Sequence, residues 1–108
     1  MKHTQETFIH LVPNTWLSGC STGWGNGYVN IPKGHPWYGK HYDNIRCGYI
    51  HGGLTYSEQE GEFWVIGFDT AHIGDTPERW PKYKVYEEAM KLKKKADAAM
   101  KRKNKATL

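Results

Sequence analysis

All twelve glycines of this 108-residue chain fall between residues 19 and 74, and no proline follows Pro81. Glycine supplies the left-handed backbone that tight turns need, and both residues interrupt helices. The chain therefore divides in two. A glycine-punctuated part suits short strands joined by turns, and an uninterrupted part suits one long helix. In the second part Val85, Ala89, Leu92, Ala96 and Ala99 recur at spacings of four and three, which puts them on one stripe. That predicts a helix over residues 82–104. Its first turns should pack on a sheet. Its distal turns carry only small apolar residues and are expected either to project or to pair with a second copy.

The first part contains five candidate strands. Residues 7–12 (TFIHLV) end at Pro13-Asn14, and residues 27–31 (GYVNI) close at Pro32. Residues 45–50 (IRCGYI) form a third candidate running toward a hairpin. The hairpin pairs GLTY with FWVIGF across a polar, acidic segment, which predicts a loop of about five residues. The predicted fold class is α+β: a small antiparallel sheet with a long C-terminal helix packed on it or projecting from it, in one domain over residues 1–108.

Charge is uneven. Residues 82–108 carry ten Lys/Arg against three acids, whereas residues 1–81 carry five against eight. A basic tail can attract nucleic acid or an acidic partner. No aromatic residue lies beyond Tyr86 to stack on bases, so the tail reads first as a solvated helix face. Two cysteines, Cys20 and Cys47, are too few for a zinc site or a disulfide framework. The opening residues lack a signal-peptide pattern, and no apolar run is long enough to span a membrane. The expectation is a cytoplasmic protein with reduced thiols and no cofactor.

Residues able to do chemistry gather at one end of the hairpin. His51-Gly52-Gly53 precedes the first run; Asp69, His72 and Asp75 follow the second. Antiparallel pairing makes these ends neighbours. Asp69-x-x-His72-x-x-Asp75 offers ligand types for a divalent metal, or an acid–base pair in which Asp69 orients His72. The alternative is that Asp69 caps turn amides while His72 and Asp75 are solvated. Gly52 and Gly53 offer amides unobstructed by side chains, which suits phosphate or carboxylate. Thr55 and Tyr56 lie on alternate faces. A third group, His35, Tyr38, Lys40, His41 and Asp43, joins the same cavity if its loop folds over that hairpin end. Trp24, Trp37 and Trp64 are stacking candidates, Trp64 also a core candidate. No Ser/His/Asp triad, phosphate-binding loop or dinucleotide fingerprint is present.

The motifs GHP at residues 34–36, YGKxYD at 38–43, HGGLTY at 51–56 and GFDxAHxxD at 67–75 resemble those of a family of small bacteriophage and prophage proteins. The resemblance spans about residues 24–100; residues 1–15 fall outside it and are read as specific to this chain. It implies a phage accessory protein acting against host defence in the host cytoplasm. Three functions follow as expectations. One is sequestration of a small anionic, nucleotide-derived ligand, with Trp24, His35, Tyr38, Lys40, Asp43, His51, Gly52, Gly53, Thr55, Asp69 and His72 as candidate contacts. The second is a small hydrolase or phosphodiesterase using His51, Asp69 and His72, with Asp69, His72 and Asp75 as metal candidates. The third is an inhibitor that docks its basic helix on a host defence protein. A homo-oligomer, formed through the helix or the sheet, is expected in the binding case.

Overall fold

The computed structural model describes residues 6–14 and 22–106. Four antiparallel strands form one sheet in the order β1-β2-β4-β3: β1 Phe8–Pro13, β2 Gly25–Ile31, β3 Tyr56–Glu60 and β4 Phe63–Phe68. One helix, α1 Lys82–Ala106, follows. The fold is thus α+β, a four-stranded antiparallel sheet with a long C-terminal helix packed against it. The edge strand β1 lies within the segment read as specific to this chain. Cys20 lies outside the described residues.

Register assigns each residue a face. Ile9 pairs with Val29, which pairs with Ile66; Leu11 pairs with Gly27, which pairs with Phe68. These residues, with Ile31 and Trp64, make the apolar face that α1 covers. The helix meets it with the predicted stripe: Val85, Ala89, Leu92 and Ala96 are fully buried, and Ala99 nearly so. Gly27 permits the close approach. A Cβ there would stand 2.7 Å from the Phe68 ring and 3.1 Å from the Ala89 Cβ. The distal turns do not project freely. Thr7 Oγ1 donates to Asp97 at 2.7 Å, and Lys103 Nζ donates to the Gly34 carbonyl.

The helix crosses β1 and β2. Segment 32–50 covers the β3–β4 half of the same face and contributes Trp37, Ile45, Cys47 and Ile50 to the core. IRCGYI is not a strand: it runs extended but unpaired, broken at Gly48 (φ +72°). Its burial serves packing, not a ladder. The hairpin also differs. Glu60 pairs directly with Phe63, so the loop is the two residues Gly61-Glu62, not about five, and the first strand is YSEQE, not GLTY. Gly61 has φ +62° and Glu62 has no positive φ, the arrangement of a type II′ turn, whose twist matches the strands.

Among the described residues, no helix lies on the opposite face of the sheet. Phe8 packs edge-on against Phe63, His10 stacks on Tyr28 at 4.8 Å, and Tyr28 meets Tyr56 edge-on. Tyr28 lies over its cross-strand partner Gly67, where a Cβ would clash at 2.3 Å. The Tyr56 hydroxyl donates to Glu60, and that bond, with some burial and the nearby negative charge, pushes its pKa up to about 12. No described helix is long and apolar enough to cross a membrane.

Leu92 sits at the centre of the buried stripe with no exposed surface. Leu92→Ala is expected to lower stability by about 2–5 kcal/mol, because the rigid sheet beneath cannot close the cavity. Urea unfolding should show this as a lower midpoint at unchanged slope.

Candidate functional site

Two β-turns build the site. In the first, Ile50–Gly53, the Gly53 amide donates to the Ile50 carbonyl at 2.7 Å and Gly52 takes φ +69°. In the second, His72–Asp75, the Asp75 amide donates to the His72 carbonyl at 2.9 Å and Gly74 takes φ +92°. A turn with glycine at its third position is type II in character, which explains why each needs glycine there. Each turn presents one imidazole. Strand pairing brings the turns together, because Thr55 N–H still bonds the Gly67 carbonyl at 2.9 Å just beyond the ladder.

Asp75 fastens one turn to the other. Its carboxylate is buried; Oδ1 accepts the Nε2–H of His51 at 2.8 Å and Oδ2 accepts the backbone N–H of His72 at 2.9 Å. Since a carboxylate accepts, the proton of His51 lies on Nε2. Asp69 does the same work on the other side: Oδ2 accepts from Thr55 Oγ1 at 2.9 Å and Oδ1 from the Ala71 amide at 3.0 Å. His72 Nε2 lies 3.1 Å from Asp69 Oδ1, within ion-pair range. The approach is off the hydrogen-bond direction, and this nitrogen is shut from solvent without a hydrogen bond. The two imidazoles meet edge to face at 5.6 Å.

Aromatic and cationic groups complete the cluster. Trp80 lies against the His51 ring at 4.1 Å. The Trp24 amide donates to the Trp80 carbonyl at 2.8 Å, and Lys82 Nζ lies 5.5 Å from the Trp24 ring centroid. The helix reaches the site through Glu88, whose Oε2 accepts the His51 amide at 2.8 Å. Trp80 and Glu88 escaped the sequence reading. Trp80 sits in a short Pro-bounded turn and Glu88 in a charged helix, and neither context marks them. The one available signal was that Glu88 precedes the buried Ala89.

His51, Gly52, Gly53, Thr55, Asp69, His72 and Asp75 are therefore gathered at one sheet end, with Trp24 alongside. The Gly53 amide is not bare, since the turn uses it. The metal reading of Asp69, His72 and Asp75 finds no support: among the described residues no group of three or more His, Cys, Asp or Glu side chains is placed to hold an ion. Both carboxylates are already committed to turn amides, to Thr55 and to His51.

The loop carrying His35, Tyr38, Lys40, His41 and Asp43 does not fold over this end. Tyr38 Oη accepts from Gln59 Nε2 at 2.7 Å, and the Lys40 carbonyl accepts from Trp64 Nε1 at 2.8 Å. Both contacts lie at the turn end of the hairpin, about 16 Å along β4 from Asp69 at ordinary strand rise. His41 caps the short 3₁₀ turn Tyr42–Asn44, accepting from the Asp43 amide at 3.2 Å, and pairs loosely with the Asp43 carboxylate. Trp37 is core. His35 is 4% exposed and structural: Nε2–H donates to the Ala96 carbonyl at 2.8 Å, and Nδ1 accepts the Trp37 amide at 2.9 Å. Burial holds its pKa below the ordinary value, against the raising influence of Ala96 and Asp97.

No protein-family model matches this chain, nor does any curated protein or solved structure compared with it.

Two predictions follow from this geometry. A Cβ on Gly52 would stand 2.1 Å from His72 Nε2, whereas one on Gly53 meets nothing within 4 Å, and both residues have positive φ. Gly53→Ala should cost about 1–2 kcal/mol from backbone strain alone. Gly52→Ala should cost more and shift the His72 ring resonances in NMR spectra. For His35, the lowered folded-state pKa means that the unfolded chain binds its proton first as pH falls. The stability due to neutral His35 is thus complete above the ordinary histidine value of 6.5 and is lost as pH drops through the folded pKa. Urea midpoints should fall from pH 7.5 to pH 5, and His35→Gln should flatten that fall while lowering stability at pH 7.5.

Proposed function

We propose that this protein is a phage accessory protein that captures a small anionic, nucleotide-derived ligand at the His51–His72 end of its sheet. The observation that carries this reading is the convergence there of two imidazoles, each beside its own carboxylate, with the Trp80 and Trp24 rings and the Lys82 ammonium. Imidazole N–H groups and a lysine suit phosphate. Indole faces suit a base. Asp69 and Thr55 are placed to meet ribose or base donors. The phage setting and the anti-defence role rest on the motif resemblance alone. Capture is favoured over cleavage because the His51 Nε2–H is engaged by Asp75, His72 Nε2 is turned inward, and the carboxylates are engaged by internal donors. Ile73, at the tip of the second turn, is fully exposed beside the site and is where a second copy would enclose the ligand.

Calorimetry against a panel of linear and cyclic nucleotides tests the reading. At least one should bind, and His72→Ala should weaken it about tenfold to a hundredfold, the scale of one charged hydrogen bond. The ligand should be recovered intact after the complex is denatured. Silence across the panel would sink the capture reading. Product in place of intact ligand would transfer the site to the hydrolase reading, in which Asp75 orients His51 as base.

A further inference from the structure

A second concentration of charge lies away from the hairpin end, where segment 45–50 runs beside the distal half of α1. Arg46, Cys47 and Gly48 on one side and Lys95, Ala98 and Arg102 on the other line a hollow of about 230 Å³. Lys95, Ala98 and Arg102 fall at i, i+3 and i+7, so they form one stripe of the helix, and the small Ala98 opens a gap between the two cations. Gly48 does the corresponding work opposite. Its φ is +72°, and a Cβ there would stand 3.0 Å from Lys95 Nζ, so the absent side chain lets the ammonium settle against the backbone.

Three cations thus border one concavity, and no carboxylate lines it. Two of the three acids of α1 are occupied elsewhere, and the third, Glu87, does not line the hollow. Glu88 holds His51 and Lys91, and Asp97 holds Thr7 and Lys93 on the other flank of the helix. Among the described residues, Arg46, Lys95 and Arg102 are in no ion pair. Like charges converging without an internal counter-charge oppose folding, unless an anion from solution neutralises them. Arg adds planar donors matched to phosphate oxygens, and Lys adds a point charge.

We propose that this hollow is a binding site for a phosphate-type oxyanion, the size of inorganic pyrophosphate or the terminal phosphates of a small nucleotide. The volume falls below the roughly 300–1,000 Å³ of sites that enclose drug-sized molecules, so it admits the phosphates and leaves the rest of a ligand outside. Its lining has no aromatic ring to stack a base, which favours a small phosphate over a nucleic-acid strand. The site is separate from the His51–His72 cluster: Lys95 is seven residues, about 10 Å, along α1 from Glu88.

The test uses the full chain with Cys20→Ser, so that Cys47, which lines the hollow, is the remaining thiol. Inorganic pyrophosphate is titrated by calorimetry at fixed ionic strength, and the rate of Cys47 alkylation is followed with and without it. The expected result is one bound pyrophosphate per chain and slower alkylation. Arg46→Gln, Lys95→Gln and Arg102→Gln should each weaken binding about tenfold or more, with unchanged circular dichroism. Protection of Cys47, which lines this hollow and not the His51–His72 cluster, separates failure here from failure at the hairpin end. The proposal is overturned if pyrophosphate does no more than chloride at equal ionic strength, or if the three glutamine variants bind as the parent does. It is overturned also if a single-stranded oligonucleotide binds where pyrophosphate does not.

Discussion

The absence of a side chain at Gly27 sets where the helix lies. With no Cβ between them, Phe68 and Ala89 close over the middle of β2, and the stripe from Val85 to Ala99 follows that contact down the sheet. Everything at the hairpin end then has a fixed support. Glu88 precedes Ala89, so seating Ala89 carries the Glu88 carboxylate to the His51 amide. A turn that strand pairing alone would leave as an exposed corner is held from the helix side as well.

Within that support, one buried carboxylate joins two turns. Asp75 binds the side chain of His51 and the backbone of His72, so neither imidazole can move without breaking a bond to the same group. A buried acid is costly unless its oxygens are satisfied, and here each has a donor. The same economy of donors explains why this end does not resemble a metal centre. Its carboxylates are spent on holding loops in place.

Charge is distributed with similar consistency. Two acids of α1, Glu88 and Asp97, are drawn to His51 and to Thr7, while Lys95 and Arg102 are left facing Arg46 across a side-chain-poor gap. The helix is therefore not uniformly solvated. One flank locks the fold, through His35 on the Ala96 carbonyl and Asp97 on Thr7. Another flank offers unneutralised cations.

The sequence by itself determined the helix, its buried stripe and the meeting of His51 with His72. Each depends on periodicity or on antiparallel pairing, which are local rules a single chain displays. It also carried the alternative for Asp69 as a cap, which its bond to the Ala71 amide matches. What tertiary structure decided was everything set by packing between distant segments. IRCGYI has strand-like residues, yet it lies unpaired because Ile45, Cys47 and Ile50 are drawn into the core and not to the free edge of β3. The 33–44 loop went to the far end of the hairpin because Trp37 and Ile45 found core there. His35, suited to a ligand by its chemistry, became a buried strut once Ala96 stood opposite. Trp80 and Glu88 joined the site for the same reason: the pairing of groups remote in sequence is fixed by which surfaces fit, and no spacing in the chain records it.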